Sequence, residues 1–399
     1  MVDFDKAEQR YLEEISLLAE KDVEDYILLN LRKISAYRRQ FDIPVVGIAG
    51  SEGKTTTMRM LSAILAPGRK VLETPLNCSS TFGITSTLLK LEESHQIALF
   101  ELGIVDPVQF ERAVEVTAPT IGAITNIGES HLASLGDKYL IADAKVELVR
   151  SLPNNGYAVL NIDDDLVSAM AKFAPTPNVI KFGLNKNAQF FANKIEYLGP
   201  NGIVFFVNGY YPFYLPIYSS TSIYNALTAI SIARILGIEY PEIKEGLESR
   251  FSLLAGTGNL IIRKDAYVLD YTYDATMNAV PKACESLVQF KPYSKKLILV
   301  IGDIRDPGPR VRDAHMKIGY YIAALPIDLV LTIGPNAKYI AEGIKRLNHR
   351  RKGVEVCKDE EELLRKLEKH FEPQSTLLFT GSRDLNLALP LREVLGVIE

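Results

Sequence analysis

The apolar positions between residues 45 and 161 form short runs separated by longer amphipathic segments. The runs at 45–48, 97–100, 121–124 and 158–161 predict buried strands, and the segments after Lys54, from Pro107 onward and over 142–150 predict helices. A strand–helix alternation of this kind is typical of an α/β domain, in which helices cover a parallel sheet. Polar residues at the carboxyl ends of such strands are the natural place to look for a site.

Residues 188–218 follow a different pattern, with alternating aromatic positions and Asn-Gly pairs at 201–202 and 208–209. These signals predict antiparallel hairpin strands that extend the same domain, followed by a helix over 224–236 that ends at Gly237. A second strand–helix alternation begins after residue 250, with strands at 267–270, 296–301, 329–333 and 377–379. The pattern therefore predicts a helical segment over 1–41, a central parallel-sheet domain over 42–249 and a smaller, Rossmann-like α/β domain over 250–399.

The composition is that of an ordinary globular protein. The 399 residues are 47% apolar and 24% charged, and the formal net charge of −4 argues against a nucleic-acid-binding surface. Cys78, Cys284 and Cys357 are far apart in the sequence, which favours reduced thiols over disulfides. No apolar run approaches the ~18 residues of a membrane span, and the first residues lack a signal-peptide pattern. We therefore expect a cytoplasmic protein without nucleic-acid partners.

The sequence after the first predicted strand is a glycine-rich loop that runs into a helix, G-x-x-G-x-x-G-K-T-T-T from Gly47. Glycines let the backbone N–H groups surround a polyphosphate, a lysine places charge on the terminal phosphates, and a threonine hydroxyl can ligate Mg²⁺. A glycine turn that binds nothing is the alternative, but a lysine and three threonines at a helix start favour a nucleotide. The predicted phosphate-binding residues are Gly50, Ser51, Glu52, Gly53, Lys54, Thr55 and Thr56.

Polar residues also follow the next strands of the first domain. Glu101 ends the strand over 97–100, His131 follows the strand over 121–124, and Lys145 lies in the next predicted helix. A carboxylate and an imidazole near bound phosphates form the type of site that holds a divalent cation, by default Mg²⁺. Taken singly, each of the three has an ordinary structural interpretation. Their order after a phosphate loop favours a metal–nucleotide site.

These motifs, in this order, resemble the Mur ligase family, the ATP-dependent ligases that add amino acids to peptidoglycan precursors, and within it the MurF branch that adds the terminal dipeptide. The resemblance runs from Phe41 to the C-terminus. Besides the phosphate loop, the matching segments are Thr74-Pro75-Leu76-Asn77, Phe82-Gly83-Ile84, Glu101-Leu102-Gly103, Thr125-Asn126-Ile127-Gly128 with His131-Leu132, Ala144-Lys145-Val146-Glu147, Asn225-Ala226-Leu227, Gly302-Asp303 and Gly381-Ser382-Arg383.

The resemblance implies a mechanism. A substrate carboxylate attacks the γ-phosphate of ATP to give an acyl phosphate, and an incoming amine then displaces phosphate. The implied catalytic residues are Lys54, His131 and Lys145, the last of them carbamylated, and the implied Mg²⁺ ligands are Thr55, Glu101 and His131. Implied ATP contacts, besides the phosphate loop, are Asn225, Asp270 and Asp274, and implied substrate contacts are Asn77, Ser382 and Arg383.

Three features depart from the family pattern. Residues 1–40 are too few and too helical for the N-terminal domain that holds the uridine nucleotide of the substrate, so we expect this chain to lack it. Thr221-Ser222 stands where the family has a His-Asn pair that contacts adenine, which leaves Asn225. Ala255-Gly256-Thr257 replaces Pro-Gly-Arg, so an arginine that approaches the nucleotide is missing, although Arg263 follows nearby.

The departures leave several functions open. The first is a carboxylate–amine ligase of peptidoglycan precursor synthesis. The second is a similar ligase recruited to another pathway, such as the synthesis of the methanogens' nickel tetrapyrrole coenzyme or of pseudomurein peptides. The third, from a different class, is a nucleotide-binding module without ligase activity. The oligomeric state is not predicted.

Overall fold

The computed structural model describes residues 31–76, 78–104, 106–128, 138–263, 266–305, 307–347 and 353–397. Contacts divide the chain into two units. The first comprises Met1–Ile127, Asp137–Phe191 and Tyr224–Phe251, and the second comprises Gly128–Gly136, Ala192–Ile223 and Ser252–Glu399. Of the predicted N-terminal helical segment, the described part is a helix over 31–38.

The first unit is built on a parallel sheet with strand order β2-β3-β1-β4-β5-β6. This confirms the α/β fold predicted from the alternation of apolar runs. Its strands are β1 (Val45–Ala49), β2 (Val71–Glu73), β3 (Ile97–Glu101), β4 (Ile121–Ile124), β5 (Tyr157–Asn161) and β6 (Val179–Gly183). Its helices are α1 (Lys54–Leu65), α2 (Thr81–Leu88), α3 (Pro107–Thr117), α4 (Lys138–Lys145), α5 (Glu147–Arg150), α6 (Asp165–Ala169), α7 (Thr221–Ile235) and α8 (Tyr240–Glu245).

The strand register brings the ends of three strands to one edge of this sheet. Ile48 of β1 pairs with Glu101 of β3, and Ala49 of β1 pairs with Ile124 of β4. Strand β1 is buried along its whole length, which explains its uninterrupted apolar sequence. The residues that follow β1, β3 and β4 therefore meet at the same edge, as the sequence predicted.

The helix over 31–38 packs against the end of α3. The guanidinium of Arg38, which is only 4% exposed, donates from Nε to the Thr117 carbonyl at 3.0 Å and from Nη2 to the Ala118 carbonyl at 3.2 Å. These carbonyls lie at the C-terminus of α3, where backbone acceptors lack helical partners and a cation is favourable. Arg38 therefore closes the end of α3 and fixes the entry into β1.

The hairpin strands β7 (Phe190–Tyr197), β8 (Ile203–Val207) and β9 (Tyr211–Leu215) pair antiparallel and belong to the second unit from Ala192 onward. Asn208 and Gly209, with positive φ of 53° and 78°, are the central residues of a β-turn that the Tyr210 N–H closes by donating to the Val207 carbonyl at 3.2 Å. The contacts group residues 192–223 with the C-terminal residues, whereas the pattern placed them in the central domain. The limits of 42–249 and 250–399 stay a prediction.

The rest of the second unit is a mostly parallel sheet with strand order β10-β11-β15-β12-β13-β14, in which only the β10–β11 pair is antiparallel. Apolar clusters cover both of its faces. The strands are β10 (Asn259–Arg263), β11 (Ala266–Tyr271), β12 (Lys296–Ile301), β13 (Leu329–Ile333), β14 (Gly353–Cys357) and β15 (Ser375–Thr380). The helices are α9 (Ala279–Gln289), α10 (Val311–Ala323), α11 (Lys338–Arg346), α12 (Glu360–His370) and α13 (Ala388–Val397).

Among the described residues, no helix is both long enough and apolar enough to span a bilayer.

Candidate active site

The glycine loop between β1 and α1 has the backbone conformation that its sequence predicted. Gly50 and Gly53 have φ angles of 145° and 81°, which are unfavourable for residues with a side chain. The Lys54 ammonium lies back over the loop and donates to the carbonyls of Gly50, at 2.9 Å, and Ser51, at 3.2 Å. Lysine and loop therefore form one compact unit at the start of α1.

The residues after β4 hold this loop from outside. The carbonyl of Asn126 accepts from the Ser51 N–H at 2.9 Å, and its side-chain Oδ1 accepts from the Glu52 N–H at 3.0 Å. The Thr125 hydroxyl donates to the Glu52 carbonyl at 2.6 Å. The motif that begins at Thr125 therefore fixes the backbone of the phosphate loop.

Glu101 and Thr55 lie together at the sheet edge. The Thr55 hydroxyl donates to Glu101 Oε2 at 2.8 Å. Glu101 is the last residue of β3, and Thr55 lies in the first turn of α1. Two oxygen atoms of the kind that Mg²⁺ prefers as ligands are therefore adjacent, beside the lysine of the phosphate loop.

Burial lowers the pKa of Lys54, and the carboxylates of Glu101 and Glu52 act in the opposite direction. Gly103 lies against the same side chain, because a Cβ added there would come within 3.7 Å of Lys54 Cε and 2.5 Å of Ser79 Oγ. The absence of a side chain at Gly103 therefore leaves room for Lys54 and for Ser79, which precedes α2.

Lys145 is 7% exposed, at the end of α4. Burial, and then the positive charge of Lys54, lower the pKa of Lys145 to about 7. Its ammonium lies 5.3 Å from the centroid of the Phe110 ring. No acidic residue in the described part of the chain forms an ion pair with it, which is unusual for a buried lysine. Near neutral pH a large fraction of this amine is therefore uncharged, because of its burial and the nearby charge of Lys54.

Asn225, in α7, lies beside the phosphate loop of the first unit. Its side chain is 8% exposed and lies so close to Gly53 that an added Cβ would meet Oδ1 at 2.1 Å. The predicted ATP-binding residue Asn225 thus touches the phosphate loop directly. It does so at the position where only glycine fits.

Comparison with known proteins gives the family. The family model described as Mur ligase middle domain matches residues 48–233, and the model described as Mur ligase, glutamate ligase domain matches residues 258–383. A protein of Buchnera aphidicola subsp. Baizongia pistaciae, named UDP-N-acetylmuramoyl-tripeptide--D-alanyl-D-alanine ligase, is 32% identical over 339 residues, 82% of this chain and 72% of that protein. The chain belongs to the Mur ligase family.

Other relatives agree with this assignment. A Synechocystis protein of the same name is 28% identical over 94% of this chain and 79% of its own length. The crystal structure of MurF from Acinetobacter baumannii superimposes with a TM-score of 0.81 and 27% identity, over 92% of this chain and 80% of that one. The resemblance predicted from the motifs is thereby confirmed. This Mur ligase is an ATP-dependent enzyme that forms C–N bonds.

Two predicted residues of the Mur ligase site, His131 and Asn77, lie outside the described residues. Within the described ranges no cluster of three histidine, cysteine or acidic residues is present. The part of the predicted metal site that can be placed is therefore the Thr55–Glu101 pair. Thr56 lies on the first turn of α1, next to that pair.

In the second unit, the predicted nucleotide residues lie near the end of β11, with Asp270 in the strand and Asp274 in the loop that follows. Asp270 Oδ1 accepts from the N–H of Thr272 at 3.0 Å and from its hydroxyl at 2.7 Å. Asp274 forms an ion pair with Arg305 at 2.8 Å. Arg305 follows β12, so the structure pairs two strand ends through a charge contact that the sequence did not predict.

Ser382 and Arg383 follow β15 at the same edge of the second sheet. The Ser382 N–H donates to the carbonyl of Asp303 at 2.8 Å, and Arg383 Nε donates to the carbonyl of Tyr273 at 3.0 Å. The Arg383 guanidinium also stacks over the Tyr273 ring, 3.8 Å from its centroid. Arg383 therefore holds the loop after β11, which contains Asp274, through its contacts with Tyr273.

Arg263 does not replace the arginine that is missing at Thr257. In the β10–β11 pair, Asn259 is opposite Asp270, whereas Arg263 is opposite Ala266 at the other end of the strands. Gly256, next to Thr257, contacts the loop after β11, since the Tyr273 N–H donates to its carbonyl at 2.9 Å. Arg305 and Arg383 are the cations that the described part of the chain places beside the loop after β11.

Sequence reasoning missed two residues that support the site, Asn161 at the end of β5 and Asp164 in the turn after it. Asn161 donates to the Thr125 carbonyl at 2.9 Å, and Asp164 accepts from the Ile127 N–H at 2.7 Å. The available signal was positional, since Asn161 and Asp164 come at the end of a predicted strand of the same sheet. Their partners are distant in sequence, so no local motif marks them.

Proposed function

We propose that this Mur ligase activates the carboxylate of a muramoyl-peptide precursor and joins it to the amine of a dipeptide of the D-alanyl-D-alanine type, in the cytoplasm. The arrangement of Lys54, Thr55 and Glu101 at one sheet edge carries the phosphoryl-transfer part of the proposal. The substrate part is supported by relatives of 28% and 32% identity, which carry the name UDP-N-acetylmuramoyl-tripeptide--D-alanyl-D-alanine ligase.

In this proposal the reaction has two steps. A carboxylate oxygen of the first substrate attacks the γ-phosphorus of ATP, and the bond to ADP breaks. The amine of the second substrate then attacks the acyl carbon, phosphate leaves with the bonding electrons, and the nitrogen loses a proton as the amide forms. The backbone N–H groups of Gly53 and Lys54 and the Lys54 ammonium stabilise the charge on the transferred group, whereas the N–H groups of Ser51 and Glu52 stay bonded to Asn126.

Mg²⁺ fits the residues present. The Thr55 hydroxyl and the Glu101 carboxylate are oxygen donors in direct contact, next to the predicted phosphate position. We propose that these two residues hold the cation, with His131 as a further ligand. When bound, Mg²⁺ neutralises phosphate charge and orients the γ-phosphate.

Lys145 is proposed to carry a carbamate. Its neutral amine attacks CO₂, a C–N bond forms, and one proton is released to solvent. Burial, a pKa near 7 and the absence of an acidic partner among the described residues favour this reaction. The product replaces a cation beside Lys54 with a carboxylate, which removes a repulsion between the two lysines.

The remaining predicted contacts stay proposals. For the nucleotide they are Asn225 in the first unit and Asp270 and Asp274 in the second. For the substrates they are Asn77, Ser382 and Arg383. Support for the second-unit residues is their common place at the carboxyl ends of β11 and β15, where ligands bind to parallel sheets.

A substrate-pair assay tests the proposed function. The protein, ATP and Mg²⁺ are incubated with UDP-N-acetylmuramoyl tripeptide and D-alanyl-D-alanine, and the product is identified by mass spectrometry. The expected product has the summed mass of both substrates minus water, with one ADP and one phosphate per molecule. A joined product from only a tetrapyrrole carboxylate or a pseudomurein peptide would place the enzyme in another pathway. ATP binding without phosphate release in any substrate pool would contradict ligase function.

A further inference from the structure

The backbone of the phosphate loop depends on residues 125–127, the segment that follows β4. Asn126 accepts two N–H groups of the loop, from Ser51 at 2.9 Å and from Glu52 at 3.0 Å. An added Cβ at Gly50 would come within 1.9 Å of Thr125 Oγ1, so loop and segment are in close contact. A displacement of residues 125–127 would therefore displace the phosphate-binding N–H groups.

Asp164 connects this segment to α6. One carboxylate oxygen, Oδ2, accepts from the Ile127 N–H at 2.7 Å. The other, Oδ1, accepts from the N–H groups of Leu166, at 3.0 Å, and Val167, at 3.1 Å, and so caps the start of α6. A carboxylate has two acceptor oxygens, and here each serves a different element. Bonds to a charged acceptor are stronger than neutral ones.

Asn161 supplies a second connection from the end of β5. Its Nδ2 donates to the Thr125 carbonyl at 2.9 Å, and its Oδ1 accepts from the Asp163 N–H at 3.0 Å. The side chain is 5% exposed, so water does not readily replace these bonds. Residues 125 and 127 are thus both held by β5 and the turn after it, on either side of Asn126.

We propose that Asp164 is a positioning residue for ATP, which acts through residues 125–127 on the phosphate loop. Asp164 fixes Ile127, and Asn126 then presents its carbonyl and Oδ1 to the N–H groups of Ser51 and Glu52. These bonds hold the loop backbone in the conformation in which the N–H groups of Gly53 and Lys54 face the phosphates. Small misplacements of such groups cost binding and rate. The inference rests on the ATP-binding part of the proposed function and is independent of the identity of the carboxylate and amine substrates.

Asp164→Ser separates positioning from helix capping. A serine hydroxyl caps a helix well but is too short to reach Ile127 from the same position. Asp165→Asn is the matched control, since Asp165 is the exposed neighbour in the first turn of α6. Asn161→Ala is the second variant, because it removes the other connection without touching the cap of α6.

The experiment measures ADP affinity by calorimetry and steady-state KM values for ATP and for the amine, on the full chain. We expect Asp164→Ser to weaken ADP binding about tenfold and to raise the KM for ATP by a similar factor. This is the effect expected from the loss of one charge-assisted hydrogen bond. KM for the amine and the melting temperature stay near those of wild type, and Asp165→Asn behaves as wild type. Asn161→Ala shows a similar ATP-specific loss. In the double variant Asp164→Ser/Asn126→Ala the two losses are less than multiplicative, because both act through the same segment.

Unchanged ADP affinity in both Asp164→Ser and Asn161→Ala would overturn the proposal. Fully multiplicative losses with Asn126→Ala would overturn the pathway through residues 125–127. If Asp164→Ser fails to fold, Asn161→Ala and its own double variant with Asn126→Ala decide the question. The affinity for ADP depends on the phosphate loop and can be measured even when no substrate pair reacts. This test therefore does not depend on the outcome of the substrate-pair assay.

Discussion

At the scale of single residues, the phosphate loop combines a local motif with side chains that come from distant parts of the chain. Gly53, Lys54 and Thr55 belong to the motif, and the Thr55 hydroxyl donates to Glu101. Asn126 and Asp164 are ordinary polar residues at strand ends, and their importance comes from partners that are 74 and 37 residues away. Such long-range hydrogen bonds leave no periodic signal in a single sequence.

Substituting Gly53 tests how closely the loop is packed. Gly53→Ala forces a left-handed φ on alanine and places Cβ 2.1 Å from Asn225 Oδ1, so we expect ADP affinity to fall more than about tenfold. Gly68→Ala is the control, because Gly68 has a similar φ of 75° but no atom within 4 Å of the added Cβ. It is expected to lose only about 1 kcal/mol of stability and to bind ADP normally. Equal ADP affinity in Gly53→Ala and wild type would show that the loop can move away from Asn225.

The environment of Lys145 predicts a dependence on pH and bicarbonate. Its pKa is lowered from 10.5 to about 7, so the amine is neutral above pH 7 and protonated below it. Only the neutral amine reacts with CO₂, so in CO₂-depleted buffer we expect activity to fall as the pH drops through 7. Added bicarbonate should restore it near pH 6.5 in wild type but not in Lys145→Ala. A pH profile that bicarbonate leaves unchanged would count against the carbamate.

The same pKa has a consequence for stability in the unmodified protein. Between pH 7 and pH 10.5 the unfolded chain keeps a proton on Lys145 that the folded chain has released. The free energy of unfolding should therefore rise with pH across this window and stay level below it, as far as this group is concerned. Urea titrations of wild type and Lys145→Met in CO₂-free buffer measure the difference. A parallel pH dependence in the two proteins would mean that folding does not lower the pKa of Lys145.

At the scale of elements, long apolar runs were predicted well and short or polar strands were missed. The strands at 121–124, 296–301 and 329–333 have the predicted bounds. The missed strands include β2, which has three residues, and β14, where Glu355 interrupts the apolar pattern and Cys357 is the one buried residue. Both are edge strands, and neighbouring strands rather than their own composition define them.

Arg38 is predicted to be a main stabiliser of the first unit. Arg38→Ala removes three hydrogen bonds, to Phe41, Thr117 and Ala118, and leaves buried carbonyls at the end of α3 without donors. We expect the free energy of unfolding to fall by about 2–4 kcal/mol. Arg39→Ala, at the exposed neighbour, should change it by less than about 0.5 kcal/mol. Urea unfolding measures both, and equal values for the two variants would show that water replaces the guanidinium.

At the scale of the whole molecule, each unit has predicted functional residues at the carboxyl ends of parallel strands, Glu101 in the first unit and Asp270 and Ser382 in the second. The sequence was sufficient for this because alternating strands and helices leave few topologies open. It did not predict how the strands over 192–223 are grouped, since packing against distant residues decides that. Arg263 lies near the missing arginine in the sequence, but the β10–β11 register places it at the end of the strands opposite to Asp270.

The most direct test of the proposed function is product formation by wild type and Lys54→Ala from UDP-N-acetylmuramoyl tripeptide and D-alanyl-D-alanine. Wild type should form one joined product and one ADP per ATP consumed, and both should require the two substrates together. Lys54→Ala should form neither, whereas Lys90→Ala, at an exposed lysine, should match wild type. Undiminished product in Lys54→Ala, or ATP binding without a joined product in wild type, would contradict the account.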